Sequence, residues 1–292
     1  MKTILLILAC VLIASCEKNI EFNLKEVPDL LVVDASIENG RSPMVILSKS
    51  VDYYSKITPE LIENAFVHDA EVFLSDNNRT QKLKEYSTNS AGGIQFFYYS
   101  VDTSNLGNAF IGKLSTGYEL KVLSGGKEYR SQTTIPALSK KIDSLWWKPA
   151  PFTTDSSKVV VFVRATDPLG LGNYIRYFMR QNSGAFLPGS NSVFDDQLID
   201  GTTYDLRLDP GLDRNDPVPF DDNFFHRGDT VTLKLSNIDR TSYTFWLTME
   251  FAYQSIGNPF ASPNKVLGNI SNGALGAFCG YASVYKTLVI PK

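Results

Sequence analysis

The sequence predicts a mainly β protein built as two immunoglobulin-like β-sandwich domains. Short runs in which every second side chain is apolar recur along the chain, as in Tyr118, Leu120 and Val122 or Val159, Val161 and Val163; this is strand periodicity. Turn residues separate these runs. The clearest is Gly125-Gly126, which supplies the positive φ angles of a tight hairpin between two alternating arms. At 292 residues and 43% hydrophobic content the chain can bury a large core, and its length favours two domains.

The first sixteen residues stand apart. Lys2 is their only charge, and a nearly continuous apolar run from Ile4 to Ile13 follows, the pattern of a secretory signal. The run is well short of the ~20 residues that a spanning helix needs. It ends in Leu12-Ile13-Ala14-Ser15-Cys16, a bacterial lipobox. Lipidation at Cys16 would make it the first residue of the mature chain, and two or three acyl chains anchor a domain to a bilayer. Cys10 would leave with the signal, so only Cys279 remains in the body and no disulfide framework can form. Cys279 reads as a small buried filler in a strand. Residues 17–28, from Glu17 to Pro28, form a charged tether. A net charge of −3 gives no sign of a nucleic-acid surface.

The first domain is expected over residues 29–136. Leu30 to Ile37 and Val45 to Leu47 read as strands. Thr58-Pro59-Glu60 supplies an N-cap and a first-turn proline for one helical turn through Leu61 and Ile62. Further strands are expected at Ala70–Ser75, Gln81–Tyr86, Ile94–Val101, Tyr118–Leu123 and Lys127–Thr134, and Pro136 closes the domain.

The second domain is expected over residues 140–292. Lys158 to Thr166 is apolar on both faces, as a central strand is. Tyr174 to Arg180 alternates, and Thr230 to Ser236 does so again. Between them Asn182 to Arg227 reads as one long irregular region rich in aspartate, and loops of such length tend to be functional. From Tyr243 to Tyr253 the periodicity favours a strand, although Asp239 is a good N-cap and Tyr243, Trp246, Leu247 and Phe251 also fall on a helical stripe.

A resemblance decides that segment. Gly257-Asn258-Pro259-Phe260, Pro263, Asn269 to Phe278 and a closing aromatic strand through Tyr281 resemble the carboxyl-terminal signature of a Bacteroidota lipoprotein family catalogued as domain of unknown function 4249. Leu31-Val32-Val33-Asp34-Ala35, Gly126-Lys127-Glu128-Tyr129, Gly228-Asp229-Thr230-Val231 and Ile238-Asp239 match as well, so the resemblance covers nearly the whole mature chain. It implies one helix near residues 239–255. It also implies a role beside a TonB-dependent outer-membrane transporter, because such lipoproteins are commonly encoded next to one. Acidic residues just behind the lipid cysteine, here Glu17 and Glu21, mark export to the cell surface in such bacteria.

No catalytic constellation emerges from the residues. His68 and His226 lie in different predicted domains without metal-ligand spacing. No Gly-x-Ser-x-Gly elbow occurs, and the three Ser-x-x-Lys matches fall in turns and strands, where positions three apart face opposite ways. Candidate binding residues are Asp195, Asp196, Asp221 and Asp222 with Phe224 and Phe225, read as exposed aromatics. Hard oxygen ligands at that density are a candidate calcium site, although Asp209 to Asp216 lacks the alternating ligand pattern of a helix-loop-helix site. The expectation is a lipid-anchored outer-membrane protein, facing the cell surface or the periplasm, that binds a ligand or assists a transporter in nutrient uptake. The alternatives are a surface hydrolase of glycans or peptides that uses loop carboxylates, and an adhesive or structural surface protein.

Overall fold

The structure, a computed structural model, describes residues 29–52, 55–89, 93–104, 109–213, 224–258 and 264–292. In chain order the first half contains β1 (Leu31–Glu38), β2 (Met44–Lys49), α1 (Pro59–Ala65), β3 (Glu71–Ser75), β4 (Thr80–Lys82), β5 (Lys84–Asn89), β6 (Gln95–Ser100), β7 (Thr116–Ser124) and β8 (Lys127–Ile135). The second half contains β9 (Lys141–Pro149), β10 (Lys158–Thr166), β11 (Tyr174–Gln181), β12 (Leu187–Phe194), β13 (Thr203–Leu208), β14 (Phe225–His226), β15 (Thr230–Ile238), α2 (Arg240–Gln254) and β16 (Leu275–Val289). Among the described residues the protein is mainly β, with 50% strand and 10% helix.

One sheet organises the rest. Its eight strands run in the order β12-β11-β15-β16-β1-β2-β6-β5, so it draws on both halves of the chain. The long strand β16 makes this continuous. Its first part pairs in parallel with β1, from Val32 opposite Leu275 to Glu38 opposite Tyr281, and its second part pairs antiparallel with β15, from Ile238 opposite Tyr281 to Thr230 opposite Val289. Close approach at the start of β16 requires glycine: Gly276 has φ +92°, and a β-carbon there would strike the Val33 carbonyl.

Two four-stranded sheets lie side by side on one face of the large sheet. The first, β4-β3-β7-β8, packs Val72, Leu74, Leu120 and Val122 onto Val33, Ile37, Leu47 and Phe278. The second, β13-β10-β14 with β9 on β10, packs Val159, Val161 and Val163 onto Ile175, Met179, Leu233 and Leu235. The alternation read from the sequence therefore sorts these side chains inward, as the pleat requires. Both helices lie on the opposite face.

Each helix begins where its cap predicts. Thr58 Oγ1 accepts from the Leu61 amide at 3.2 Å ahead of Pro59, and Asp239 Oδ1 accepts from the Ser242 amide at 2.7 Å. Helix α2 confirms the assignment drawn from the resemblance over the strand periodicity. Phe245 and Glu250 are buried and Tyr243, Trp246 and Met249 pack on Ile238, Cys279 and Tyr281, a stripe with helical spacing. The odd-numbered apolar residues Leu247, Phe251 and Tyr253, which mimic a strand, are exposed.

The irregular region expected from Asn182 to Arg227 is a correction. It contains β12, β13 and the short β14. Pro188 and Gly189 broke the apparent pattern of β12, and the register slips where that strand pairs with β11. In β13 the alternation of Tyr204, Leu206 and Leu208 is present but interleaved with Thr203, Asp205 and Arg207. Among the described residues no helix is long and apolar enough to cross a membrane.

Candidate functional site

Asp195 and Asp196 follow β12, and Asp196 faces the Asp167–Asn173 turn between β10 and β11. Asp196 is buried and accepts from the amides of Gly172 and Asn173, each at 2.8 Å, and from Asn173 Nδ2 at 3.2 Å. Burial opposes its charge, but the Asn173 and Gly172 amides outweigh burial and hold the carboxyl below the usual carboxylate range. Asp200 Oδ1 accepts from the Gly170 amide at 2.7 Å. Asp195 Oδ2 instead accepts from the Tyr243 hydroxyl of α2 at 3.2 Å.

Asp167, Asp196 and Asp200 bring ligand atoms within 4.8 Å of one another, a grouping that runs of aspartate in the sequence do not reveal because Asp167 lies in a different turn, about thirty residues before the other two. Lys140 Nζ stands 2.7 Å from Asp167 Oδ1, with both side chains fully buried and the contact outside hydrogen-bond angles. A calcium ion needs six to eight oxygens free to coordinate it. Here a lysine ammonium already stands inside the cluster and amides hold the other two carboxylates. The donor set suits a clamp between two turns better than a calcium cage.

The remaining candidates separate. Phe225 is 1% exposed in the core of the second half, which corrects its reading as an exposed aromatic: β14 turns it inward beside Val159. Phe224 is half-buried, with Lys158 and Arg207 over its ring. Cys16, Asp221 and Asp222 lie outside the described residues.

A concavity that the candidates did not include lies on the helix face of the large sheet. Register places Asp34 of β1 opposite Ile46 of β2, both pointing away from the sandwich cores. Ile46, Ile57, Leu61, Ile62, Phe66 and Phe96 wall a pocket of about 330 Å³ whose polar lining is Asp34, Ser48 and Lys49. Asp34 is open to solvent yet closely surrounded by protein. Burial pushes its carboxyl above the usual value, and the Arg176 guanidinium pulls it partly back.

Arg176 is itself buried and held on several sides. Its guanidinium lies 3.3 Å from the Trp246 ring centroid, with Nε donating to Ser192 Oγ at 3.2 Å and Nη1 to Tyr281 Oη at 3.3 Å. Trp246 Nε1 donates to the same tyrosine at 2.8 Å, and Glu250 accepts from the Ser192 amide at 3.0 Å. Nearby Cys279 is buried as expected, and burial pushes its thiol up to about 11, so it stays protonated and is no thiolate nucleophile. The pocket can therefore bind an apolar group that carries a polar end, a donor for Asp34 or an acceptor for Lys49. A carboxylate inside the otherwise apolar run from Leu31 to Ile37 was the sequence signal for it.

No curated protein matches the chain. A family profile described as a domain of unknown function, DUF4249, matches residues 17–287. That span takes in every strand of the eight-stranded sheet, from β1 to all but the last two residues of β16, and the chain belongs to the DUF4249 family.

Proposed function

We propose that this protein is a non-catalytic lipoprotein, anchored in the outer membrane through acylated Cys16, that binds a ligand in support of a TonB-dependent transporter during nutrient uptake. The pocket beside Asp34 carries the reading. Mostly apolar walls with one carboxylate, the Lys49 ammonium and the Ser48 hydroxyl orient a ligand with a polar end, without the paired carboxylates that hydrolysis of a glycan calls for. Of the loop aspartates that a hydrolase could draw on, Asp196 and Asp200 are engaged as turn clamps, while Asp221 and Asp222 lie outside the described residues. The lipobox and the company kept by similar lipoproteins supply the location and the partner.

The test is a pull-down of the native protein from outer membranes in mild detergent, with labelled palmitate in the growth medium. A β-barrel transporter is expected to co-purify, and the label is expected to disappear in Cys16→Ala. Recovery as a free monomer would remove the transporter role. Label retained in the Cys16→Ala chain would remove the anchor.

A further inference from the structure

We infer that the corner joining β10 to β11 is a membrane-contact apex, in which Leu169, Leu171 and Leu198 enter a bilayer while the adjoining outer face of β9, β10 and β13 meets anionic headgroups. The inference rests on the lipid anchor proposed above, which keeps the body beside a membrane.

The leucines are 89%, 71% and 97% exposed, and they come from two turns that touch. A single exposed leucine is ordinary on a protein surface. Three on one built corner are not, and the buried carboxylates explain how they are held. Asp196 grips Gly172 and Asn173, Asp200 grips Gly170, and the Asp167 amide donates to the Thr202 carbonyl at 2.9 Å. Gly201 lies against the Leu169 side chain, and its φ of +67° is one that glycine adopts without strain. The polar groups of the corner are thus turned inward and its leucines outward, the reverse of what solubility favours.

The face that leads to this corner has complementary chemistry. Trp146 and Phe162 are cross-strand neighbours stacked at 5.7 Å, with Arg164 over the first ring and Lys148 over the second. Lys158 and Arg207 flank Phe224 on the same side. Because ring faces are negative and edges positive, rings whose faces meet each other or a cation present edges and charges of one sign to solvent. Among the described residues, the four cations Lys148, Lys158, Arg164 and Arg207 meet three carboxylates: Asp205, paired with Arg164 at 2.6 Å, Asp143, which accepts from Thr166, and Asp155, near Lys158. The chain as a whole is acidic at −3, whereas the described residues of this face hold a small basic excess. Protruding leucines beside tryptophan and basic residues are the composition of a bilayer interface.

The topology permits the approach. β11 runs parallel to β1, since each is related to β16 by parallel pairing or by two antiparallel pairings through β15. The corner before β11 and the tether before β1 therefore leave the sheet in the same direction. Tyr174 is level with Glu38 through Ile238 and Tyr281, so the corner is set back by the length of β1, roughly 23 Å. Residues 17–28 reach roughly 40 Å when extended, which spans the offset.

The experiment uses the full chain carrying Leu198→Cys, labelled with a nitrobenzoxadiazole dye and mixed with phosphatidylethanolamine vesicles with or without phosphatidylglycerol. Cys279 is buried, so position 198 takes the dye once Cys10 has left with the signal and Cys16 is acylated. The wild-type chain labelled in parallel reports Cys16: uptake of dye there means that the anchor reading has failed, and with Cys16→Ser added the vesicle response at 198 still decides the apex. Expected is a blue shift with a several-fold rise in emission, larger with phosphatidylglycerol. Leu169→Ser with Leu171→Ser should reduce the rise several-fold, and Lys148→Gln with Arg207→Gln should abolish the lipid preference, with melting temperature unchanged in each. Emission that stays at its aqueous position with both vesicle types overturns the proposal. A shift seen only with outer-membrane fragments also overturns it and assigns the corner to a protein partner.

Discussion

Asp239 and Thr134 join the helix to the sheet of the opposite half of the chain: Asp239 Oδ2 accepts from the Thr134 amide at 2.9 Å and from the Thr133 hydroxyl at 3.0 Å, while Oδ1 caps α2. One carboxylate thus serves two elements. Replacing it with alanine removes a cap, worth ~1 kcal/mol, and hydrogen bonds to a charged acceptor, worth ~1.5–3 kcal/mol. Asp239→Ala is expected to lower the unfolding free energy in urea by roughly 2–4 kcal/mol. Asp239→Asn keeps one acceptor oxygen and is expected to fall between the two. An alanine variant as stable as the wild type would mean that the tie carries no weight.

The ion pair of Lys140 with Asp167 is fully buried, so each partner depends on the other. Lys140→Met leaves an uncompensated buried carboxylate and is expected to cost roughly 3–5 kcal/mol. Adding Asp167→Leu to it is expected to restore much of that loss, because the charge itself is then gone. A double-mutant cycle in urea reads the coupling. Additive losses would show that the pair is not a unit.

Asp34 should make stability depend on pH in a stated direction. Burial raises its folded pKa above the unfolded value, so the folded state holds the proton more tightly. Below the unfolded pKa both states are protonated, and the native state is at its best relative to a neutral replacement. As pH rises through the folded pKa, the charged carboxylate loses that advantage. Asp34→Asn should therefore melt higher than the wild type near neutral pH, with the gap closing as pH falls toward about 4. A gap that is constant across the range, or of the opposite sign, would show that burial does not govern this group.

The calcium expectation also has a direct measurement. Because Lys140 and the amides already meet the charge of Asp167, Asp196 and Asp200, millimolar calcium is expected to leave the melting temperature unchanged. A ligand that binds only the native state must raise it. A rise reversed by chelator would return the aspartates to the role of metal ligands.

Strand positions were legible because alternation is a local property: Val159, Val161 and Val163 turn inward whatever they pack against. Caps were legible for the same reason, since Thr58 and Asp239 act on amides three residues ahead. The orientation of Phe225 and the strand character of β12 and β13 were not. Phe225 points inward because two residues of β14 pair with β10, and β12 bends around Pro188 and a slipped register.

The sequence by itself determined the family, the β character and the start of each helix, all of which depend on neighbours along the chain. Only the tertiary structure decided that β16 joins two halves into one sheet, that Asp167 meets Asp196 and Asp200, and that Asp34 lies beside an apolar pocket. These depend on partners far apart in the chain. Val33 and Gly276 lie side by side only because every intervening strand has found its own place.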